Sequence, residues 1–346
     1  MKFPIPSIVT WISFLGASLC FSEEAASPAR DDSHLLWWNK PAEKWEEAAP
    51  IGNGRLGAMV FGRVDHERIQ LNEGTLWAGG PYNPVNPEAK DALPEARRLV
   101  NEGKYGDASR LIDEKIIAKP RGQMQYETVG DLQLNFPGSP DFGDYRRELN
   151  LDDATATVSY VSGGVRFTRE MFASAPDNVI VVRLSADKPG RLSFSADMKT
   201  PMNAKVETDG KDTLVMTGVG DDSGGVQGKI QYQARVKVMA TGGKLAAEGD
   251  HVTVTNADQA ILLVTAATNY KKFDDLSGDP EGITRKRIAT AGGKSFASLR
   301  SAHLADYQPL FRRVSIDLGK TDAMKLPTDE RIRHFAEGND PQLASL

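Results

Sequence analysis

Residues 229–240 read “KIQYQARVKVMA”, and their alternation decides the fold class. Ile230, Tyr232, Ala234, Val236, Val238 and Ala240 share one face, and polar or charged groups fill most of the other. A period of two marks a strand with one face in a core. “RLSFSA” (191–196) repeats the pattern with Leu192 and Phe194. “NVIVVRL” (178–184) and “AILLVTAA” (260–267) are continuous apolar runs, suited to strands buried on both faces. “ATVSYVSGGVRFTREMF” (156–172) reads as a hairpin, because Ser162-Gly163-Gly164 can take the positive φ of a tight turn. From Leu35 to about Ala267 the chain is therefore expected to be mainly β, a large antiparallel β-sandwich.

A helical insertion at about 86–118 interrupts it. Asn86 is the expected cap with Pro87 at the first position, and Pro94 is expected to start a second helix, because proline inside a helix costs about 3 kcal/mol. Tyr105, Ala108, Ile112 and Ile116 share one face of the helix that follows. After 270 the spacing turns helical (Ile283, Ile288, Leu299, Leu304, Leu310, Phe311). “RRVSIDLG” (312–319) reads as one last strand. “PTDERIRHFAEG” (327–338) reads as a helix capped by Thr328. Asp340-Pro341 opens another helix, but about six residues have no helical stability of their own in water.

The chain has 346 residues and a net charge of −5, with 40% hydrophobic content. That length argues for about two or more domains with a sizeable core. The mild acidity and the lack of basic runs exclude a nucleic-acid partner. Met1-Lys2, a mostly apolar run from Ile5 to Phe21 and the polar Ser22-Glu23-Glu24 form a secretory signal, too short for a membrane span. Cleavage is expected after Ser22, giving a protein exported to a bacterial periplasm, the cell surface or the medium. Cys20 raises the alternative of a lipid anchor, although Leu19 before it is bulky. With the signal removed no cysteine remains, so neither a disulfide nor a thiol nucleophile is expected. Residues 23–34 read as a flexible lead-in.

The chemistry concentrates in “RIQLNEGTLWAGG” (68–80). Ile69 and Leu71 face one way and Gln70 and Asn72 the other, and then Asn72, Glu73, Thr75 and Trp77 crowd together between glycines. Two readings compete: a structural corner, or one wall of a site for a sugar. An indole stacks on a sugar's C–H face while amide and carboxylate pair its hydroxyls. Upstream, “PIGNGRLGAMVFG” (50–62) is a glycine-rich turn feeding a strand. It lacks the Lys-Ser/Thr pair of a phosphate loop.

The run from Trp38 to Tyr82 resembles the N-terminal domain of family 95 glycoside hydrolases, mostly α-L-fucosidases. So do “YETVGDLQLNF”, “YRRELNLDDATATVSY”, “FTREMFASAPDNVIVVRLSADKPG”, “TNYKKFDDLSGDP” and “ADYQPLFRRVSIDLG…LPTDERI”. The resemblance covers nearly all of 35–346. It implies a sandwich over 35–270 and a helical linker over 271–346, with an (α/α)6 catalytic barrel expected to follow. The family's general-acid glutamate, water-activating aspartate and paired asparagines lie in that barrel, so none is carried over to a residue here. What the resemblance implies is an inverting, exo-acting α-L-fucosidase on fucosylated glycans, without a cofactor. A non-catalytic glycan- or protein-binding sandwich and an α-L-galactosidase are the alternatives.

An inverting glycosidase needs two carboxyl groups about 6.5–9.5 Å apart. Glu73 finds no evident partner, so its expected role is a buried acid that closes a loop through backbone N–H groups. Trp37, Trp38 and Trp45 are expected at the sandwich edge. Asp152-Asp153 and Asp221-Asp222 read as loop acids, and the scattered histidines His34, His66, His251, His303 and His334 lack metal-ligand spacing. This chain alone is expected to be catalytically silent. Its 270–346 segment is expected to be poorly ordered, with Leu310, Phe311, Ile332, Phe335, Leu343 and Leu346 uncovered.

Overall fold

A computed structural model describes residues 32–138 and 141–346, so the export segment and Cys20 lie outside the described residues. In chain order the strands begin with β1 (Leu35–Trp38), β2 (Ala49–Gly52), β3 (Leu56–Val60) and β4 (His66–Glu73). Helices α1 (Ala89–Asn101) and α2 (Tyr105–Lys115) follow. Next come β5 (Gly130–Asn135), β6 (Gly143–Asn150), β7 (Thr155–Ser162), β8 (Val165–Ser174) and β9 (Val179–Ala186). Then come β10 (Leu192–Lys199), β11 (Ala204–Asp209), β12 (Thr213–Val219) and β13 (Gln231–Thr241). The last strands are β14 (Lys244–Glu248), β15 (His251–Ala257) and β16 (Gln259–Thr268). Four helices complete the chain: α3 (Pro280–Gly292), α4 (Phe296–Phe311), α5 (Thr328–His334) and α6 (Pro341–Ser345).

The strands form two antiparallel sheets, as the alternation predicts. One runs β1-β6-β7-β8-β9-β16-β13-β12-β11 and the other β14-β15-β10-β5-β4-β3-β2. Tyr232, Ala234, Val236 and Val238 of β13 enter the core between the sheets with Ile180 and Val182 of β9 and Leu262 and Val264 of β16. The Gly163-Gly164 turn joins β7 to β8 with φ of 56° and 69°. Both values are left-handed, which glycine adopts at little steric cost.

The outer face of the nine-stranded sheet is not left to solvent. Phe172, Val179, Val181 and Leu263 form a second apolar cluster with Ile288 and Ala291 of α3 and Leu299 of α4. Gln233 and Arg235, on the polar face of β13, are consequently buried. The Arg235 Nε donates to Gln233 Oε1 (2.9 Å) and to Thr284 Oγ1 on α3 (3.2 Å). Its Nη1 lies 2.8 Å from Asp209 Oδ2. The β6–β7 turn grips α4 in a similar way. Arg300 pairs with Asp153 at 3.0 Å, Arg312 with Asp152 at 2.6 Å, and Tyr307 Oη donates to the Leu151 carbonyl at 2.6 Å. These two helices are docked, unlike the loose segment expected from 270 onward. At the end of α4 Leu310 is exposed and Phe311 half-buried; beyond it Ile332, Phe335 and Leu346 are exposed and Leu343 is half-buried.

Several local expectations are corrected. A single helix runs through Pro94, and the second starts at Tyr105 instead. The proline ring points to solvent in the second turn, where the carbonyl it leaves without an amide partner can be hydrated. Asn86 accepts from Glu88 N (3.2 Å) and donates to the Ile117 carbonyl (3.2 Å), so it ties together both ends of the insertion. Tyr105 is exposed, apart from the face that buries Ala108. Residues 314–320 form no strand, because no neighbouring strand pairs with them among the described residues; Val314, Ile316 and Leu318 are exposed. Thr328 is the first residue of α5 and makes no side-chain cap; its Oγ1 accepts from Trp37 N of edge strand β1 at 2.9 Å.

Two buried ion pairs tie distant segments together. Arg169 of β8 donates to Glu67 of β4 at 2.8 Å, to the Val64 carbonyl at 2.6 Å and to Tyr160 Oη at 3.1 Å, linking the two sheets. Burial pushes the Glu67 carboxyl up, while the carboxylate and phenol around Arg169 outweigh its own burial and push the guanidinium up. Near the other end, Arg331 of α5 holds Asp340 at 2.7 and 2.8 Å, and Asp340 Oδ1 caps α6 by accepting from Leu343 N at 3.0 Å. The short helix is thus fixed from outside itself.

Arg169→Met strands a buried carboxylate and is expected to cost about 3–5 kcal/mol in urea denaturation. Adding Glu67→Gln should recover part of that loss, and a single-variant cost under about 1 kcal/mol would contradict the linking role. The Arg331 hydrogen bonds hold the Asp340 carboxyl below its usual value of 3.8. A depressed folded value stabilises above the ordinary range and is lost as pH falls through the folded value. Residues 328–345 should therefore keep their amide protection at neutral pH and lose it only below about 3.8. Asp340→Asn should lower that protection by about 1.5–3 kcal/mol at neutral pH, read by hydrogen exchange.

Candidate functional site

The inner face of β4 carries Glu67, Ile69, Leu71 and Glu73, all buried, while Gln70 and Asn72 lie on the half-buried face. Both carboxylates thus share the parity of the apolar residues. Glu73 is wholly buried, with Oε1 2.9 Å from Arg55 Nη2. Its Oε2 accepts from Thr75 N (2.7 Å) and Thr75 Oγ1 (2.6 Å). Thr75 Oγ1 also meets Thr268 Oγ1 of β16 at 2.5 Å, so Glu73 and Thr75 clamp one sheet to the other. These bonds leave the Glu73 carboxylate engaged in structure. Asn72 lies opposite Gly57 of β3, away from the aromatic groups.

Trp77 goes elsewhere. Its Nε1 donates to the Gly74 carbonyl at 3.2 Å, and its ring meets Tyr126 edge-on with centroids 5.1 Å apart. Its other neighbours form an open cleft of about 570 Å³, lined by Thr75, Trp77, Tyr82, Gln123, Tyr270 and Phe273 together with small and apolar residues. Of the four expected site residues, the structure brings Thr75 and Trp77 to this cleft and leaves Asn72 and Glu73 outside it. Tyr82 lies far in sequence from Tyr270 and Phe273, which share one turn, and no spacing in the sequence links the two stretches.

Backbone geometry holds the walls. Gly79 adopts φ of 72°, and a Cβ there would meet Met124 Sδ at 2.8 Å. Its N–H donates to the Asp221 carbonyl at 2.8 Å, and its carbonyl accepts from Lys229 N at 2.8 Å. Asn269 anchors the opposite wall: its N–H donates to the Gln231 carbonyl (2.9 Å), and its carbonyl accepts from Gly278 N (2.8 Å). Glu127, behind the cleft, is an acid the sequence reading missed. Burial, with the nearby Asp221 charge adding to it, pushes its carboxyl up, and its Oε1 accepts from Asp221 N at 2.9 Å. It too holds a loop. A second groove of about 630 Å³ includes Lys205, Thr217, Gln233 and Glu281, and belongs to the polar contacts that dock α3. No group of three or more His, Cys, Asp or Glu suited to a metal occurs among the described residues. Nor is any helix there long and apolar enough to cross a membrane.

The arrangement can stack apolar ring faces; it presents no free pair of carboxyl groups. Glu73→Ala is expected to cost about 2–3 kcal/mol, because it removes two hydrogen bonds and the partner of Arg55. Trp77→Ala should cost less than about 1.5 kcal/mol, well under the roughly 3–5 kcal/mol for truncating a fully buried aromatic. Chemical denaturation of both variants reads the difference, and a reversed order would contradict the assignment.

Residues 36–273 match the family described as “Glycosyl hydrolase family 65, N-terminal domain”. Residues 295–346 match “Glycosyl hydrolase family 95 catalytic domain”. Over 90% of its length the chain is 36% identical to “Alpha-L-fucosidase 2” of Arabidopsis thaliana. Over 97% it is 29% identical to “Probable alpha-fucosidase A” of Aspergillus niger. It spans 40% of the first relative and 44% of the second. The solved structure of a “Putative kojibiose phosphorylase from human microbiome” overlays with a TM-score of 0.50 at 10% identity, covering 85% of this chain and 40% of that one, a likeness of fold alone. The chain belongs to the glycosyl hydrolases: residues 36–273 form a family 65-type N-terminal domain, and residues 295–346 match part of a family 95 catalytic domain.

Proposed function

We propose that this chain is the N-terminal part of an exported, exo-acting α-L-fucosidase that removes terminal fucose from glycans with inversion. The observation that carries the reading is the 36% identity, over 90% of the chain, to an α-L-fucosidase. Export is supported by the charged start, apolar run and polar exit of residues 1–24. The sandwich's engaged acids, Glu67 and Glu73 buried and Glu127 half-buried, argue for a supporting role. Glu67 is paired with Arg169, Glu73 with Arg55 and Thr75, and Glu127 with the Asp221 backbone. Inversion needs one carboxyl to protonate the leaving oxygen and another to activate water. In this reading that pair comes from catalytic-domain sequence beyond the sandwich, and Thr75 and Trp77 contribute at most to a rim facing the glycan.

A second reading, a non-catalytic glycan-binding sandwich, is favoured by one observation: the aromatic cleft is complete within the sandwich and the turn that follows it. Activity separates the two. The 346-residue chain alone should release no fucose from a fucosylated lactose trisaccharide. Joined to the remainder of a family 95 catalytic domain it should release fucose with inverted anomeric configuration, read by proton NMR. Release by the isolated chain would overturn the supporting role. Silence of the joined protein would favour the binding module, and activity on an α-L-galactoside alone would shift the sugar.

A further inference from the structure

We propose that the cleft between Trp77 and Phe273 is itself a binding site for a neutral saccharide. This rests on the glycan reading above and adds to it a location, a ligand class and residues. Four aromatic rings, Trp77, Tyr82, Tyr270 and Phe273, line one cleft of about 570 Å³, within the range that holds a small ligand. Phe273 is 79% exposed and Tyr82 and Tyr270 more than a third, although such rings are ordinarily covered. Phe273 is held outward by a closed turn, in which Lys271 N donates to the Asp275 carbonyl at 2.9 Å.

The lining chemistry selects the ligand. Charged residues make up 26% of the chain, yet none of the residues lining this cleft is charged. Lys272 Nζ, 5.9 Å from the Phe273 ring centroid, is already paired with Asp274 at 3.0 Å, so a charged ligand would lose its hydration there without meeting a free counter-charge, which disfavours it. A pyranose carries an apolar C–H face for the rings and hydroxyls for the rim, where the Gln123 amide stands; the Thr75 hydroxyl is already engaged by Glu73 and Thr268. An unbroken apolar peptide would leave the Gln123 amide unmatched. The walls come from three parts of the sandwich and the turn after β16, so the site exists without further sequence.

The full chain, titrated with a fucosylated lactose trisaccharide, should show saturable binding and a shift of the Trp77 indole N–H resonance. Phe273→Ala and Tyr82→Ala should each weaken binding by about tenfold, the scale of one aromatic contact, with the melting temperature unchanged. Tyr105→Ala, an exposed tyrosine on α2 outside the cleft, should bind as the parent does. A sialylated lactose trisaccharide should bind more weakly. Absence of saturable binding, unweakened binding by both cleft variants, or equal binding of the sialylated probe would each overturn the proposal. Fucose release by the joined protein is read separately, so a silent enzyme with an intact cleft, or an active one that binds nothing here, tells the two readings apart.

Discussion

The centre of the nine-stranded sheet is apolar on both faces, and much of the remaining structure follows from covering it. Val179 and Val181 alternate with Ile180 and Val182, and Leu263 lies between Leu262 and Val264. One set meets the opposing sheet; the other would face water. Burying a side chain of this size contributes about 1.5–3 kcal/mol. The chain after β16 therefore turns back across the sheet as α3 and α4. That return fixes the turn at 270–278, which places Tyr270 and Phe273 opposite Trp77. The aromatic cleft thus depends on how the sandwich covers its outer face.

Polar groups decide where the covering elements sit. Arg235, Gln233 and Thr284 form a closed set beneath α3, and Asp152 and Asp153 grip α4. Such buried pairs add little net stability over apolar replacements, yet leaving one member unpaired is expensive. They therefore select against other placements of the helices. Glu67–Arg169 does the same between the sheets, and Arg331–Asp340 near the other end of the chain.

The consequence for function is a division of labour. The sandwich uses Glu67, Glu73 and Glu127 to hold its own loops, and leaves aromatic rings exposed at the cleft. A surface of that kind is able to stack on ring faces. A further group of exposed apolar residues, Val314, Ile316, Leu318, Ile332 and Phe335, falls in the segment that matches a family 95 catalytic domain.

Local pattern by itself determined the sandwich. The alternation of 230–240, the doubly apolar runs at 178–184 and 260–267 and the Gly163-Gly164 turn are legible because strand parity and positive φ are properties of neighbouring residues. The Asp340 cap is local in the same way, and the resemblance that named the family was carried by long runs of residues in order. Only the tertiary structure decided what depends on distant partners. Pro94 stays within a helix because its ring points outward, and 314–320 form no strand because no edge meets them. Thr328 turns to Trp37, and Gln233 and Arg235 are buried because α3 covers a face that alternation alone assigns to solvent. Glu73 is the buried, loop-closing acid its local setting suggests, but the reach of Thr75 to Thr268 and of Trp77 into the cleft was hidden. Sequence spacing places a side chain on a face, but what that face meets is set by segments far away in the chain, 193 residues where Thr75 meets Thr268 and 291 where Trp37 meets Thr328.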